Sequence, residues 1–249
     1  LARAGTPIGV LLRRALLRRG VETVHYSVSI IRGRGIDRVA LAHIAAARGT
    51  ADAVFVDGWT GKGAITGELD ASLGDGSTGF APFLAVVADP AGCASLAATA
   101  EDYLIPSGIL GGIVSGLVSR SVLSDALVGE GEFHACRHLT EFAAADQSRA
   151  FIAAVEAAAP SAQPHPGWTP AGARQSRLAC EKLIASLMDE FAASDRNRIK
   201  PGIAEATRAV LRVAGGDARP GTGDRRHPLG GVRAAAGGRP GGGRRGTRR

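Results

Sequence analysis

Cysteine is scarce in this sequence, with only Cys93, Cys136 and Cys180 among 249 residues, odd in number and far apart. That spacing excludes a disulfide framework and fits a reducing cytoplasm. Long apolar runs are missing too: no stretch reaches the roughly 18–20 residues of a membrane span, and no signal peptide is visible. Net charge is also missing from most of the chain. The overall balance is +7, and residues 214–249, with nine Arg against two acidic residues, carry all of it. The first 213 residues therefore offer no general nucleic-acid surface on charge alone. The last 36 residues hold twelve Gly and no apolar periodicity, so they cannot bury enough surface to fold. They read as a Gly/Arg-rich disordered tail, either native and RNA-touching or the out-of-frame end of a GC-rich gene.

The 45 % hydrophobic composition of the whole chain suits a globular domain, here over residues 1–213. Thr6-Pro7 reads as N-cap and first position of a helix with an apolar stripe of Ile8, Leu11, Leu12, Ala15 and Leu16, ended by Gly20. Val24–Ile31 alternates as a strand, and Asp37–Arg48 is amphipathic. Ala53–Val56 reads as a buried strand stopped by Asp57-Gly58, Ala64–Leu73 as a helix and Phe83–Ala88 as another strand. This alternation predicts an α/β fold with a mainly parallel sheet and flanking helices. Beyond the mixed segment from Glu101 to Ala159, Ser161–Pro170 reads as a loop. Arg174–Ala193 reads as a helix, and a last helix runs from Pro201-Gly202 to about Val213.

The segment Val54-Phe55-Val56-Asp57-Gly58-Trp59-Thr60-Gly61-Lys62-Gly63-Ala64 has the order strand, acid, small-residue loop, helix. A phosphate needs converging backbone N–H groups with no side chain in the way. Gly61 and Gly63 permit that, and the helix beginning at Ala64 adds the positive end of its dipole. Thr60 offers a hydroxyl, Lys62 a charge, and Asp57 an acceptor for ribose hydroxyls. Lys62 is followed by Gly63 rather than Ser or Thr, so this is no P-loop, and Gly67 falls out of G-x-G-x-x-G register. A strand-to-helix turn using glycine only for geometry fits this segment equally well. Gly5 and Thr6, before the first helix, can present N–H groups to a second phosphate. Arg32 and Arg34 add two guanidiniums on a flexible turn, or simply a solvated one. All three loops belong at strand carboxyl ends, where ligands of open α/β sheets collect.

Gly5-Thr6-Pro7, His25 through Asp37, and Phe55 through Gly63 together resemble one bacterial group, and the similarity continues through Ala88-Asp89-Pro90, Val114–Arg120 and Asn197–Gly202. It is the phosphoribosyltransferase-like family of tellurite-resistance and stress-response genes, whose members are also labelled cysteine protease StiP. The resemblance implies a type I phosphoribosyltransferase fold that binds 5-phosphoribosyl-1-pyrophosphate with its Mg²⁺. The phosphoribosyl group would pass to an unknown small-molecule acceptor. Asp57, Arg32 and Arg34 would be the catalytic residues. Gly5, Thr6, Thr60, Gly61, Lys62, Gly63 and Ala64 would bind the phosphates. A single acid stands at Asp57 where such enzymes usually have two. The family's N-terminal strand is expected before Leu1, so the chain reads as N-terminally truncated. An RNA-binding Pelota-like domain is expected near Val213, and the tail does not resemble one. The label implies one alternative, a cysteine-dependent hydrolase; the single acid at Asp57 supports another, a non-catalytic sensor of phosphoribosyl or nucleotide ligands.

Weaker constellations complete the reading. His134, His138 and Glu141 would share one helix face beside Cys136, as a metal site or an ordinary polar face. Cys136 has His neighbours in sequence, and Cys93 follows Asp89-Pro90 in a strand-end loop. Ser115, Ser119 and Arg120 can line a pocket or a packed turn.

Overall fold

The computed structural model describes residues 1–2, 4–102, 119–162, 167–196 and 199. Helix α1 (Gly5–Arg18) leads to a short antiparallel pair, β1 (Ile30–Ile31) and β2 (Gly35–Ile36), and then to α2 (Arg38–Arg48). Strand β3 (Phe55–Trp59), α3 (Ala64–Leu73), β4 (Leu84–Ala88) and β5 (Leu96–Thr99) follow. A second antiparallel pair comes next, β6 (Ser119–Val122) with β7 (Ala135–His138). A 3₁₀ segment (Thr140–Ala145), α4 (Ser148–Ala158) and α5 (Pro170–Glu190) complete the described elements. Strands β3, β4 and β5 form a parallel sheet in that order, with Phe55 opposite Leu84 and Ala85 opposite Leu96. The chain is therefore α/β with a parallel sheet. Among the described residues, no helix is long and apolar enough to cross a membrane.

The core lies between this sheet and the helices. Leu84, Val86 and Ala88 alternate inward from β4, and Leu69 and Leu73 of α3 and Leu41 of α2 close over them. Leu69 and Leu84 are completely buried, a burial that stabilises by about 1.5–3 kcal/mol each. Phe55 and Phe80 meet edge to face at 6.2 Å.

Several sequence expectations shift. Helix α1 starts at Gly5, and its buried residues are Gly5, Pro7 and Gly9 rather than the leucine stripe, with Leu12 40 % exposed. Small residues face inward because the backbones lie in contact: a Cβ at Gly5 would sit 2.2 Å from the Val56 carbonyl. The strand expected over Val24–Ile31 contracts to Ile30–Ile31, because only Ala2 pairs with the stretch before it, through Ser29. Strand β3 extends to Trp59, placing Asp57 inside the strand opposite Val86. The expected helix after Pro201 and the Gly/Arg-rich tail lie outside the described residues.

Candidate functional site

The three loops singled out from sequence pack on neighbouring elements, the 4–6 loop on β3, the 32–35 turn on the body of α3, and the 57–64 turn between β3 and α3. Gly5 packs against Val56 and Asp57, so the start of α1 abuts the end of β3. The 32–35 turn docks on α3 through Glu68, whose carboxylate accepts the Gly33 and Gly35 amides at 2.7 and 2.9 Å. Asp57 accepts from the Gly58 amide at 2.7 Å. Thr60 is 2 % exposed; its amide donates to Ala88, and its hydroxyl has no partner among the described residues. Gly63 takes φ 84, which a side chain would oppose, and α3 begins with no side-chain cap. Thr6 shares a hydrogen bond with Ser27 rather than capping α1.

The cations of this cradle are engaged with protein groups. Buried Lys62 donates to the Ile199 carbonyl at 2.5 Å. Arg196, held by Glu181, donates to the Lys62 carbonyl at 3.2 Å. Arg34 lies 3.9 Å from Asp125. Arg32 stands in the same turn and also has a protein partner.

Cys93 lies against this cradle, its sulfur 3.2 Å from the position a Cβ on Gly63 would take. Fully buried Asp89 fixes the loop by accepting the Cys93 and Ala94 amides at 2.8 and 2.9 Å and the Trp168 indole at 3.3 Å. Burial, and then the negative charge of Asp89, push the Cys93 thiol up to about 11. At neutral pH only about one molecule in ten thousand carries a thiolate there.

The second constellation is the one sequence periodicity misplaces. Residues 134–138 do not form a helix. They enter and form β7, which pairs with β6 so that Cys136 stands opposite Ser121 and His138 opposite Ser119. Alternation along β7 puts residues 136 and 138 on one face, and His134 stands just before the strand. Glu141 falls in the following 3₁₀ segment and pairs with Arg137 at 3.8 Å. Among the described residues, no cluster of three His, Cys, Asp or Glu side chains is placed to hold a metal. Ser115 lies outside the described residues, and Arg120 sits in β6 opposite Arg137.

His134 is held from two directions. Its Nδ1 lies 2.9 Å from Ser29 Oγ, and its backbone amide donates to Asp37 Oδ2 at 2.8 Å. The other Asp37 oxygen caps α2 by accepting the Ala40 amide at 2.9 Å, so one buried carboxylate ties the β7 entry to the α2 start. Phe133 adds an edge-to-face contact with His43 of α2, centroids 6.5 Å apart. Cys136 is exposed, its thiol 3.9 Å from the Arg137 carbonyl. Ser29 and Asp37 as supports of His134 went unseen in the sequence. The cap signal at Asp37 was visible, but not the destination of its second oxygen.

Residues 1–156 match a family model described as tellurite-like stress resistance cysteine protease StiP. Residues 179–215 match a model described as a PELOTA RNA binding domain. A protein named cysteine protease StiP from Acinetobacter baylyi (strain ATCC 33305 / BD413 / ADP1) is 44 % identical over 225 residues, 84 % of this chain and 58 % of that protein. The chain thus spans somewhat more than half the length of this relative. No solved structure matches. These findings overturn the expectation of a phosphoribosyltransferase and of phosphoribosyl pyrophosphate as its substrate, since both descriptions name a cysteine protease. In the same region Lys62, expected to bind a phosphate, donates to the Ile199 carbonyl, and Arg34, expected to act in catalysis, lies 3.9 Å from the Asp125 carboxylate.

Proposed function

The chain belongs to the tellurite-like stress resistance cysteine protease StiP family, and from that premise we propose that it is a cysteine-dependent peptidase with Cys136 as nucleophile and His134 as base. Three thiols compete for the role. Cys180 lies beyond the matched stretch of residues 1–156. Cys93 is 7 % exposed and held protonated. Cys136 is exposed, shares the β7 face with His138 and follows His134 by two residues. The observation that carries the reading is the 2.9 Å contact between Ser29 Oγ and His134 Nδ1, which supplies the third group that orients a base. With Nδ1–H donating to Ser29, Nε2 is the basic nitrogen. It takes the Cys136 proton, and the thiolate adds to the scissile carbonyl. As the C–N bond breaks, the imidazolium returns the proton to the leaving amine, and water then hydrolyses the thioester.

Single Cys→Ala substitutions test this with a labelled protein substrate such as casein. Cys136→Ala abolishes hydrolysis, whereas Cys93→Ala and Cys180→Ala retain it. Iodoacetamide labels Cys136 at pH 7, and Cys93 labelling climbs only as the pH approaches about 11. Hydrolysis that survives in Cys136→Ala and disappears in Cys93→Ala would reverse the assignment.

We further propose that Gly5, Thr6 and the 60–64 turn bind an oxyanion on the substrate. Support comes from the buried, unpartnered Thr60 hydroxyl at an uncapped helix start behind a left-handed glycine. Phosphate raises Tm of the protein, and in Thr60→Val that rise disappears. An equal rise in the variant would remove the cradle from the site.

A further inference from the structure

The opposite flank of α1 carries a groove of about 400 Å³ lined by Val10, Arg13, Arg14, Val24, His25 and Tyr26. Sequence accounts for its character. Helix α1 has three arginines, at 13, 14 and 18, and no acidic residue. The segment after it fails to join a sheet, so Val24 and Tyr26 remain 48 % and 38 % exposed instead of entering the core. The wall is built rather than incidental. Gly9 leaves the space that the His25 ring fills, since a Cβ there would stand 2.4 Å from His25 Nε2. Arg13 reaches across the groove, its Nε donating to the Thr23 carbonyl at 3.3 Å. Glu156 of α4 binds Arg14 at 2.5 Å and Arg18 at 3.2 Å. Of the two guanidiniums lining the groove, Arg14 is therefore paired with a carboxylate while Arg13 donates to a carbonyl and keeps its charge on the rim.

Cations beside exposed ring faces are the combination that binds a phosphodiester chain with unpaired bases: guanidiniums follow the backbone, and bases stack on aromatic planes. Burial above all, then the Leu1 amino group and Arg13, hold the His25 pKa below its ordinary value, so its ring is neutral at physiological pH. An acidic peptide would use the arginines but leave the ring faces without a partner. Residues 179–215 of the same chain match a PELOTA RNA binding domain model. We propose that the α1 groove is a single-stranded RNA-binding surface in which Tyr26 stacks a base and Arg13 contacts the adjoining phosphate. This inference does not rest on the peptidase reading, because none of its residues belongs to β7 or the cradle.

The test uses the full chain and a fluorescein-labelled oligouridine of about 12 nucleotides, read by anisotropy over a salt series. Tyr26→Ala weakens binding about 10- to 100-fold, Tyr26→Phe keeps it, and Arg13→Gln lowers the salt slope by about one. The arginines of residues 214–249 are the same in every variant, so they do not enter the differences. Oligouridine containing 4-thiouridine crosslinks to residues 10–26. Unchanged affinity in Tyr26→Ala, crosslinks confined to residues outside 10–26, or an oligoglutamate peptide that displaces RNA at equal concentration would each overturn the proposal.

Discussion

His134→Ala lowers kcat/KM of peptide hydrolysis by about 10²- to 10⁴-fold, the range that a positioned general base contributes. The size follows from how the imidazole is held. Ser29 Oγ lies 2.9 Å from its Nδ1, and in the proposed tautomer Nδ1–H donates to Ser29 and leaves Nε2 for the thiol. The link between Asp37 and residue 134 runs through the backbone amide, so it survives the substitution, and Phe133 still seats the strand on His43. Tm therefore changes little, and the loss is chemical rather than structural. Ser29→Ala retains the base but frees its tautomer. Turnover falls by about tenfold, and the acid limb of the pH profile moves, while Ser29→Thr, which keeps a hydroxyl, restores both. A His134→Ala protein within twofold of the parent rate would remove His134 from the reaction and leave Cys136 without a base.

The same residues explain why this site was hard to read from sequence. Positions i and i+4 share a face in a helix and also in a strand, so His134 and His138 cannot distinguish the two. Cys136 and Glu141 can. In a helix, i+7 joins that face and i+2 leaves it; in a strand the reverse holds. The helical reading put Glu141 beside the histidines and made a metal face. The structure has a strand over residues 135–138, which puts His138 on the face of Cys136 and leaves Glu141 off it. Pairing with β6 decides it, and the partner lies 13 to 19 residues upstream, beyond any local pattern. The strand–turn–helix over residues 55–73 was legible because its determinants are local: β3, the glycines of the turn and α3 are consecutive in the chain. Helix α1 was misread in a different way. Leucine periodicity marks a helix face that packs side chain against side chain, whereas Gly5 and Gly9 serve a face that packs backbone against β3 and against His25.

Gly92→Ala destabilises the fold by about 3–5 kcal/mol, measured as a lowered urea midpoint, and the cause can be divided into two parts. Gly92 holds φ 67, a backbone state that costs a side chain about 1–2 kcal/mol. The added Cβ would also lie 1.8 Å from the Ala173 carbonyl, which is backbone and cannot rotate away. Helix α5 must then move, along with buried Ala173 and Ile184 and the Trp168 bond to Asp89. Gly20 separates the two effects. It holds φ 77 with nothing within 4 Å of an added Cβ, so Gly20→Ala carries the conformational cost alone, about 1 kcal/mol. The difference between the two variants measures how tightly α5 seals the 89–93 loop. The same displacement uncovers Cys93, so iodoacetamide labels it faster in Gly92→Ala than in the parent at any pH below about 11. Equal midpoints for Gly92→Ala and Gly20→Ala would mean that α5 does not rest on this loop, and that Cys93 owes its high pKa to something other than burial beneath that helix.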